Sequence, residues 1–368
     1  MKIGIVTITD YTNYGNRLQN YALTILLKGI ADEVVSGFEG YSHQDWINDE
    51  TNIIKKIIKY ITPYQYQKRK VKQYAYNELM KERISRFKIF TNEYTYTFPY
   101  LYFKNNSDLR KQINEASFDY FIVGSDQVWN PIYQGKSYEF LRFTDKNKRY
   151  SFAASISAEE IPPSKRSRFA RYIADMNYIS VREERAADIV KKLTGRTADV
   201  TLDPTLLLDK TDWECIAKKP ELYIESKYIC TYFLGEVPEA VKAFAKEKGL
   251  LIYALNSLDS PELYTLDPAE FLYMIQNASY VLTDSFHAVA FSIKFNKEFY
   301  VFDRKQDGVS SMFSRIETIT KRFGLENRIQ NRDRIVDQEP VSNWNEIEKE
   351  LVAEKKRSMG KLLEAMGI

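Results

Sequence analysis

The sequence predicts an α/β fold of two Rossmann-like domains with the functional site in the cleft between them, and three observations carry that expectation. Short runs of β-branched and aromatic residues alternate with amphipathic stretches along most of the chain. Its 368 residues exceed what one compact core usually needs. Midway, the segment DPTLLLDKTDW (203–213) separates one strand–helix series from a second, as a crossover between two units does.

Each element follows from a local pattern. Residues 2–8 form a short apolar run, read as a first strand. The turn TDYTNYG follows, and helically spaced apolar residues over 18–30, with Gly29 near the end, predict a helix. A second strand fits 33–36. Residues 50–115 break the rhythm and are read as a basic helical insertion. There Ile53, Ile54, Ile57, Ile58 and Ile61 share one helical face, Pro63 closes that helix, and KRKVK (68–72) follows. Strands are then predicted at 119–124, 149–154, 178–182 and 199–202, with helices at 163–175 and 183–193. Past the crossover, strands fit 228–233, 250–254, 279–283 and 299–303, with helices at 237–248, 268–276, 286–296 and 311–323. The expected domains are therefore 1–205, on the acceptor side, and 206–340, on the donor side. A closing segment, 341–368, holds a charged helix that packs back on the first domain.

Composition narrows the function. A formal charge of +3 on this length makes no case for nucleic-acid binding. Two cysteines, Cys215 and Cys230, build no disulfide framework. The start MKIGIVTI reads as a strand and not a signal peptide, and no stretch approaches the roughly 20 apolar residues of a membrane span. A soluble, cytoplasmic protein is expected. The sequence has no P-loop, no H-E-x-x-H, no Cys/His cluster and no G-x-S-x-G elbow, so neither a metal nor a cofactor is expected.

Ligands of open α/β sheets sit at the carboxyl ends of the strands, so the residues just after each strand are the candidates. After the strand at 279–283, Asp284 or Ser285 can cap the helix opening at Phe286, whose free N–H groups make an anion site. His287, one of two histidines, lies in that first turn. Arg182 ends its strand where a bidentate grip on carboxylate or phosphate is possible. Its bland alternative is a surface pair with Glu183 or Glu184. In FIVGSDQVWNP (121–131), Ser125, Asp126 and Asn130 offer partners for sugar hydroxyls, while Trp129 fits the core better. Asn13, Asn16 and Gln19 do the same in the first turn, where a single glycine rules out the dinucleotide fingerprint.

Taken as an ordered series, NYGNRLQNYAL, VGSDQVWNP, SFAASI, ISVREERA, TLDPTLLL and TDSFHAVAFSI resemble the polysaccharide pyruvyltransferase family, over about residues 11–303. The resemblance implies a GT-B-like architecture and transfer of pyruvate from phosphoenolpyruvate to two hydroxyls of a hexose as a cyclic ketal. It implies that Arg182 and His287 match the family's arginine and histidine. Many members carry Arg-Leu-His where this chain has Ser285-Phe286-His287, and Arg304 or Arg315 are the candidates to replace the missing cation beside the donor. A saccharide acceptor, with a lipid diphosphate as its carrier, and a peripheral membrane contact through 53–72 are the expected partners. Two rival functions stay open: a nucleotide-sugar glycosyltransferase, with Glu270 gripping a ribose, and a non-catalytic carbohydrate-binding subunit.

Overall fold

The computed structural model describes residues 1–36, 38–40, 63–95, 101–103, 106–305 and 313–368, with the backbone alone at 38–40, 63–75, 101–103 and 106. Strand β1 (Lys2–Val6) is almost wholly buried, as a central parallel strand must be. Helix α1 (Tyr14–Lys28) starts where the Asn13 side chain accepts the Asn16 N–H, and Gly29 stands at its C-cap. Strand β2 (Glu33–Val35) follows, and β3 (Phe38–Gly40) pairs in parallel with β4 (Leu101–Phe103). Between those two runs α2 (Pro63–Tyr94), and after them α3 (Asn106–Glu115). Then come β5 (Tyr120–Val123), β6 (Arg149–Ser151), α4 (Pro163–Ala174), β7 (Ser180–Val181), α5 (Glu184–Thr194) and β8 (Asp199–Val200).

The first sheet has the order β2-β1-β5-β6, all parallel. Single bridges from Tyr150 to Tyr178 and from Ala154 to Val181 carry it on to β7 and β8. The chain leaves β1 toward one side and returns on the other, so a switch point opens between the carboxyl ends of β1 and β5.

Two short helices, α6 (Pro204–Leu207) and α7 (Lys210–Ile216), make the crossover. The second series runs β9 (Tyr228–Tyr232), α8 (Glu239–Lys248), β10 (Leu251–Ala254), α9 (Pro261–Tyr264), α10 (Pro268–Gln276), β11 (Tyr280–Thr283), α11 (Phe286–Lys294), β12 (Glu298–Phe302), α12 (Ser314–Arg322), β13 (Ile329–Gln330) and α13 (Trp344–Met366). Its parallel sheet has the order β10-β9-β11-β12-β13, with a switch point between β9 and β11. Two doubly wound parallel sheets, each with its own switch point, make the GT-B-like layout that the resemblance implied.

The halves share one apolar core. Tyr14 of α1 stacks on Phe271 of α10, with centroids 4.3 Å apart, and its hydroxyl donates to the Leu266 carbonyl at 3.0 Å. Phe87, Leu206, Phe291 and Leu351 belong to the same cluster. Helix α13 lies against the first sheet. Tyr120 and Tyr150 donate their hydroxyls to the carbonyls of Met366 and Ala365, and Lys361 pairs with Asp199.

The insertion departs from expectation. Pro63 opens a long helix, a position where its missing N–H costs nothing. KRKVK therefore lies inside that helix and not after one. The isoleucine face at 53–61 falls outside the described residues. Among the described residues, no helix is long and apolar enough to cross a membrane.

Candidate active site

The two switch points meet at one set of side chains. At the second, the Asp284 carboxylate accepts the N–H groups of Leu234 and Gly235, each at 2.8 Å, and so ties the end of β9 to the end of β11. Ser285 stands at the N-cap of α11, yet its side chain makes no capping bond, and Asp284 is turned away from the helix. The side-chain cap expected there is missing. The first intrahelical bond runs from the Val289 N–H to the Ser285 carbonyl. The N–H groups of 286–288 thus stay unspent at the positive end of the helix dipole.

His287 is 6% exposed and faces the start of α1. A Cβ at Gly15 would lie 2.0 Å from His287 Nδ1, so only glycine lets the two helix starts approach this closely. His287 Nε2 is buried without a hydrogen-bond partner and lies 3.7 Å from Asp203 Oδ2.

Asp203 is the hub. Its Oδ1 caps α6 by accepting the Thr205 N–H at 3.0 Å and the Thr205 hydroxyl at 2.8 Å. Its Oδ2 accepts Arg182 Nη1 and, at 2.9 Å, the Ser125 hydroxyl. Burial opposes charge on Asp203, but His287, Arg182 and the Thr205 N–H outweigh it and hold the carboxyl far below the usual carboxylate range. Burial likewise disfavours charge on Arg182, and Asp203 and Asp126 restore it. Arg182 Nη2 is 3.5 Å from Asp126 Oδ1, and neither Nε nor Nη2 makes a hydrogen bond.

Of the residues expected to bind the acceptor, most are engaged with one another. Asn16 Nδ2 donates to Asp126 Oδ2 at 2.9 Å, while its Oδ1 accepts the Asp10 N–H and the Arg17 guanidinium. Gln19 accepts the Ser125 N–H at 3.0 Å and donates to Thr7 Oγ1 at 2.9 Å. Asn130 closes its own turn, donating to Gln127 Oε1 and accepting the Ile132 N–H. Asn16, Gln19 and Ser125 thus brace the charged centre, while Asn130 bonds within its own turn. Asp126 is held at its edge. Against burial, Arg182, His287 and Asn16 keep its carboxyl below the usual range. The backbone at Gly124 adopts φ 133°, and a Cβ there would lie 2.1 Å from the Phe152 carbonyl oxygen.

The other candidates separate cleanly. Arg304 is half-buried and answers to Asp284, with Nε 3.5 Å from Oδ2 and Nη2 donating to the backbone carbonyl at 3.3 Å. Arg315 is buried, and its guanidinium lies 5.6 Å from the Phe286 ring centroid, where that of Arg182 lies at 4.6 Å. Trp129 is core, stacked on Phe140. Arg185 pairs with Glu159 at the surface. Glu183 is not the surface partner of Arg182. It is buried and accepts the Ser155 hydroxyl and the N–H groups of Ile156 and Ser157 through Oε1, with Oε2 unpartnered. Glu270, which the glycosyltransferase alternative needs free, accepts the Asp267 N–H in a capping box and pairs with Arg86 at 2.6 Å. Asp203 escaped notice in the sequence because its D-P-T spacing is fully explained by a helix cap. Gly15 carried no signal there beyond being a glycine in a turn. No group of three His, Cys, Asp or Glu side chains suited to a metal occurs among the described residues.

Fold and side chains together describe a GT-B-like α/β protein with a cluster of buried charged groups where its two parallel sheets meet. The family model for polysaccharide pyruvyl transferase matches residues 13–306, and the chain belongs to that family. It is therefore a transferase whose family implies a saccharide acceptor and a separate donor. No curated protein matches significantly. Among solved structures, the chain is similar to the UDP-GlcNAc 2-epimerase of Neisseria meningitidis bound to UDP-GlcNAc. There the identity is 11%, the TM-score 0.46, and coverage 100% of this chain and 93% of the other. The epimerase of Methanocaldococcus jannaschii gives 11%, 0.45, 98% and 93%. The wall teichoic acid polymerase TagF gives 10%, 0.43, 99% and 83%. At those scores the likenesses bear on no residue of the site.

Proposed function

We propose that this chain transfers pyruvate from phosphoenolpyruvate to two hydroxyls of a hexose in a surface-polysaccharide precursor, closing a cyclic ketal and releasing phosphate. The observation that carries this is a buried histidine with an unpartnered Nε2, set between a carboxylate and the unspent N–H groups of a helix start, beside an arginine with unused donors. An anion with a proton-accepting carbon suits that arrangement.

In the reaction His287 delivers a proton to the methylene carbon of phosphoenolpyruvate, and the adjacent C2 becomes cationic. A sugar hydroxyl attacks C2 and its proton restores His287. The C2–O bond to phosphate then breaks, and the second hydroxyl closes the ring on C2 as its proton passes to the departing phosphate. Asp203 holds the imidazole and Arg182 in one frame, and Arg182 with the N–H groups of 286–288 receives the phosphate charge. Asp126, at the edge of the site, faces the incoming sugar. No resident cofactor enters the scheme.

The test is phosphate release from phosphoenolpyruvate with candidate acceptor glycans, on wild type and His287→Asn. Turnover in wild type and a fall of about 100-fold or more in the variant, in line with loss of a general acid, are expected. Wild-type rates in His287→Asn, with the donor still raising its Tm, would remove the histidine from the chemistry. Stabilisation by nucleoside diphosphates and none by phosphoenolpyruvate would replace the donor. The lysine- and isoleucine-rich stretch 53–72 suits an acceptor carried on a lipid diphosphate at the cytoplasmic membrane face. Co-sedimentation with anionic vesicles, absent with neutral ones, is the matching observation.

A further inference from the structure

A buried hydroxyl at the second switch point has nothing to bond. Tyr232 is the last residue of β9 and is 1% exposed, and its hydroxyl makes no hydrogen bond. A buried tyrosine usually finds a partner for its O–H. This one has no freedom to seek another. The Thr283 hydroxyl donates to the Tyr232 carbonyl, and the ring meets those of Tyr14 at 5.3 Å and Phe271 at 5.4 Å, both edge-on. Tyr14 opens α1, so the ring reaches the first half of the molecule. Burial raises the hydroxyl well above its ordinary pKa, so at neutral pH it keeps its proton and is a donor. An unused buried donor costs stability that phenylalanine would not forfeit, which points to a ligand.

Arg83, Asp10 and Arg304 are the charged residues whose fields act on that hydroxyl. The two arginines are already answered. Arg83 donates to the carbonyls of Thr12 and Tyr264, and Arg304 lies against Asp284. Asp10, in the turn before α1, is only half used. Its N–H donates to Asn16 Oδ1 at 2.9 Å, and its Oδ1 accepts the Thr12 N–H at 2.8 Å and the Thr12 hydroxyl at 2.6 Å. Its Oδ2 takes no hydrogen bond from a described residue. None of the bonds that fix Asp10 and Tyr232 involves Asp203, Arg182 or His287. One half therefore offers a donor and the other an acceptor. An anion would be drawn to the first and repelled by the second. A hydroxyl group, which donates and accepts at once, satisfies both.

We propose that Tyr232 and Asp10 form a subsite for one hydroxyl of a saccharide, Tyr232 donating to its oxygen and Asp10 accepting its O–H. They are then specificity-determining residues, because a sugar lacking that hydroxyl leaves the tyrosine buried and unpaired. The subsite rests on the geometry, whereas naming its ligand the pyruvyl acceptor rests on the function proposed above.

The experiment titrates the full chain with the methyl glycosides of glucose, galactose and mannose by saturation-transfer NMR, and separately with phosphoenolpyruvate by calorimetry. It uses wild type, Tyr232→Phe and Asp10→Asn, with the ligand-free Tm of each. Asp10→Asn keeps the Thr12 bonds through Oδ1 and turns the unused acceptor into a donor. Wild type binds at least one hexoside, and each variant weakens it by about tenfold or more, as loss of a hydrogen bond in a buried site requires. Phosphoenolpyruvate stays within about twofold, and the Tm of Tyr232→Phe is no lower than that of wild type. One monodeoxy analogue of the bound hexoside binds wild type and Tyr232→Phe equally weakly, the coupling that a direct contact produces. No hexoside bound by wild type, unchanged hexoside affinity in Tyr232→Phe, or equal weakening of hexoside and phosphoenolpyruvate overturns the subsite. So does a lower Tm in ligand-free Tyr232→Phe, since the hydroxyl would then serve the fold. If the hexosides follow the expected pattern while phosphoenolpyruvate releases no phosphate in their presence, the subsite stands and the pyruvyl-transfer proposal falls. Phosphate release with an unchanged acceptor KM in both variants does the reverse.

Discussion

Asp203 divides its two carboxylate oxygens between a helix cap and the charged centre, so a change there strikes both at once. Asp203→Asn keeps the size but leaves Arg182 buried with Asp126, at 3.5 Å, and the more distant Glu183 as its counter-charges. Breaking a buried pair in this way costs about 3–5 kcal/mol, and urea denaturation measures it. Acid shows the same residue from another side. The folded pKa of Asp203 is depressed, so between the folded and unfolded values the unfolded chain binds the extra proton. Its contribution is complete above the ordinary carboxylate range, about 4, and drains away as pH falls toward the folded value. Stability curves against pH should therefore be flatter below about 4 in Asp203→Asn than in wild type. An equal slope would show that other carboxylates govern acid unfolding. Arg182 and His287 were legible in the sequence because both follow predicted strands in a fold that binds ligands there. The roles of Asn16, Gln19 and Ser125 were not, because each is fixed in part by a partner far along the chain: Asn16 by Asp126, Gln19 by Ser125 and Ser125 by Asp203.

At the scale of elements, the strands of the two main sheets announced themselves as short β-branched or aromatic runs and form close to where those runs lie, whereas the two- and three-residue strands β3, β4 and β13 were too short to show. Helix α2 did not. Its buried positions, Arg83, Phe87, Phe90 and Thr91, keep helical spacing, but an arginine leads them and breaks the apolar pattern. That arginine joins the halves. Its guanidinium donates to the carbonyls of Thr12 and Tyr264 and lies over the rings of Tyr14, Phe87 and Tyr264. Arg83→Met keeps the stem and orphans the buried Tyr264 carbonyl and the half-buried one of Thr12, at a cost of about 2 kcal/mol. Chemical denaturation should find that loss, together with a lower turnover as the loop before α1 loosens. Unchanged stability would mean that the aromatic packing alone holds α2.

For the whole molecule, the closing helix decides whether the halves act as one. Ile347, Leu351, Leu362 and Met366 are buried along α13. Each such side chain is worth about 1.5–3 kcal/mol, and four of them rival the roughly 5–15 kcal/mol by which a domain is stable. A chain ending at residue 343 should therefore show no cooperative thermal transition by circular dichroism. A sharp transition near the wild-type Tm would show that the helix merely decorates the first sheet.

That helix also imposes an order on biogenesis. Nascent domains usually fold as they leave the ribosome, the earlier before the later. Here Tyr120 and Tyr150 are bonded to residues 366 and 365, so the first sheet to emerge is the last to be finished. Until residue 366 has left the ribosome, that sheet stays uncovered on the side α13 will take, a natural point of capture for a holding chaperone.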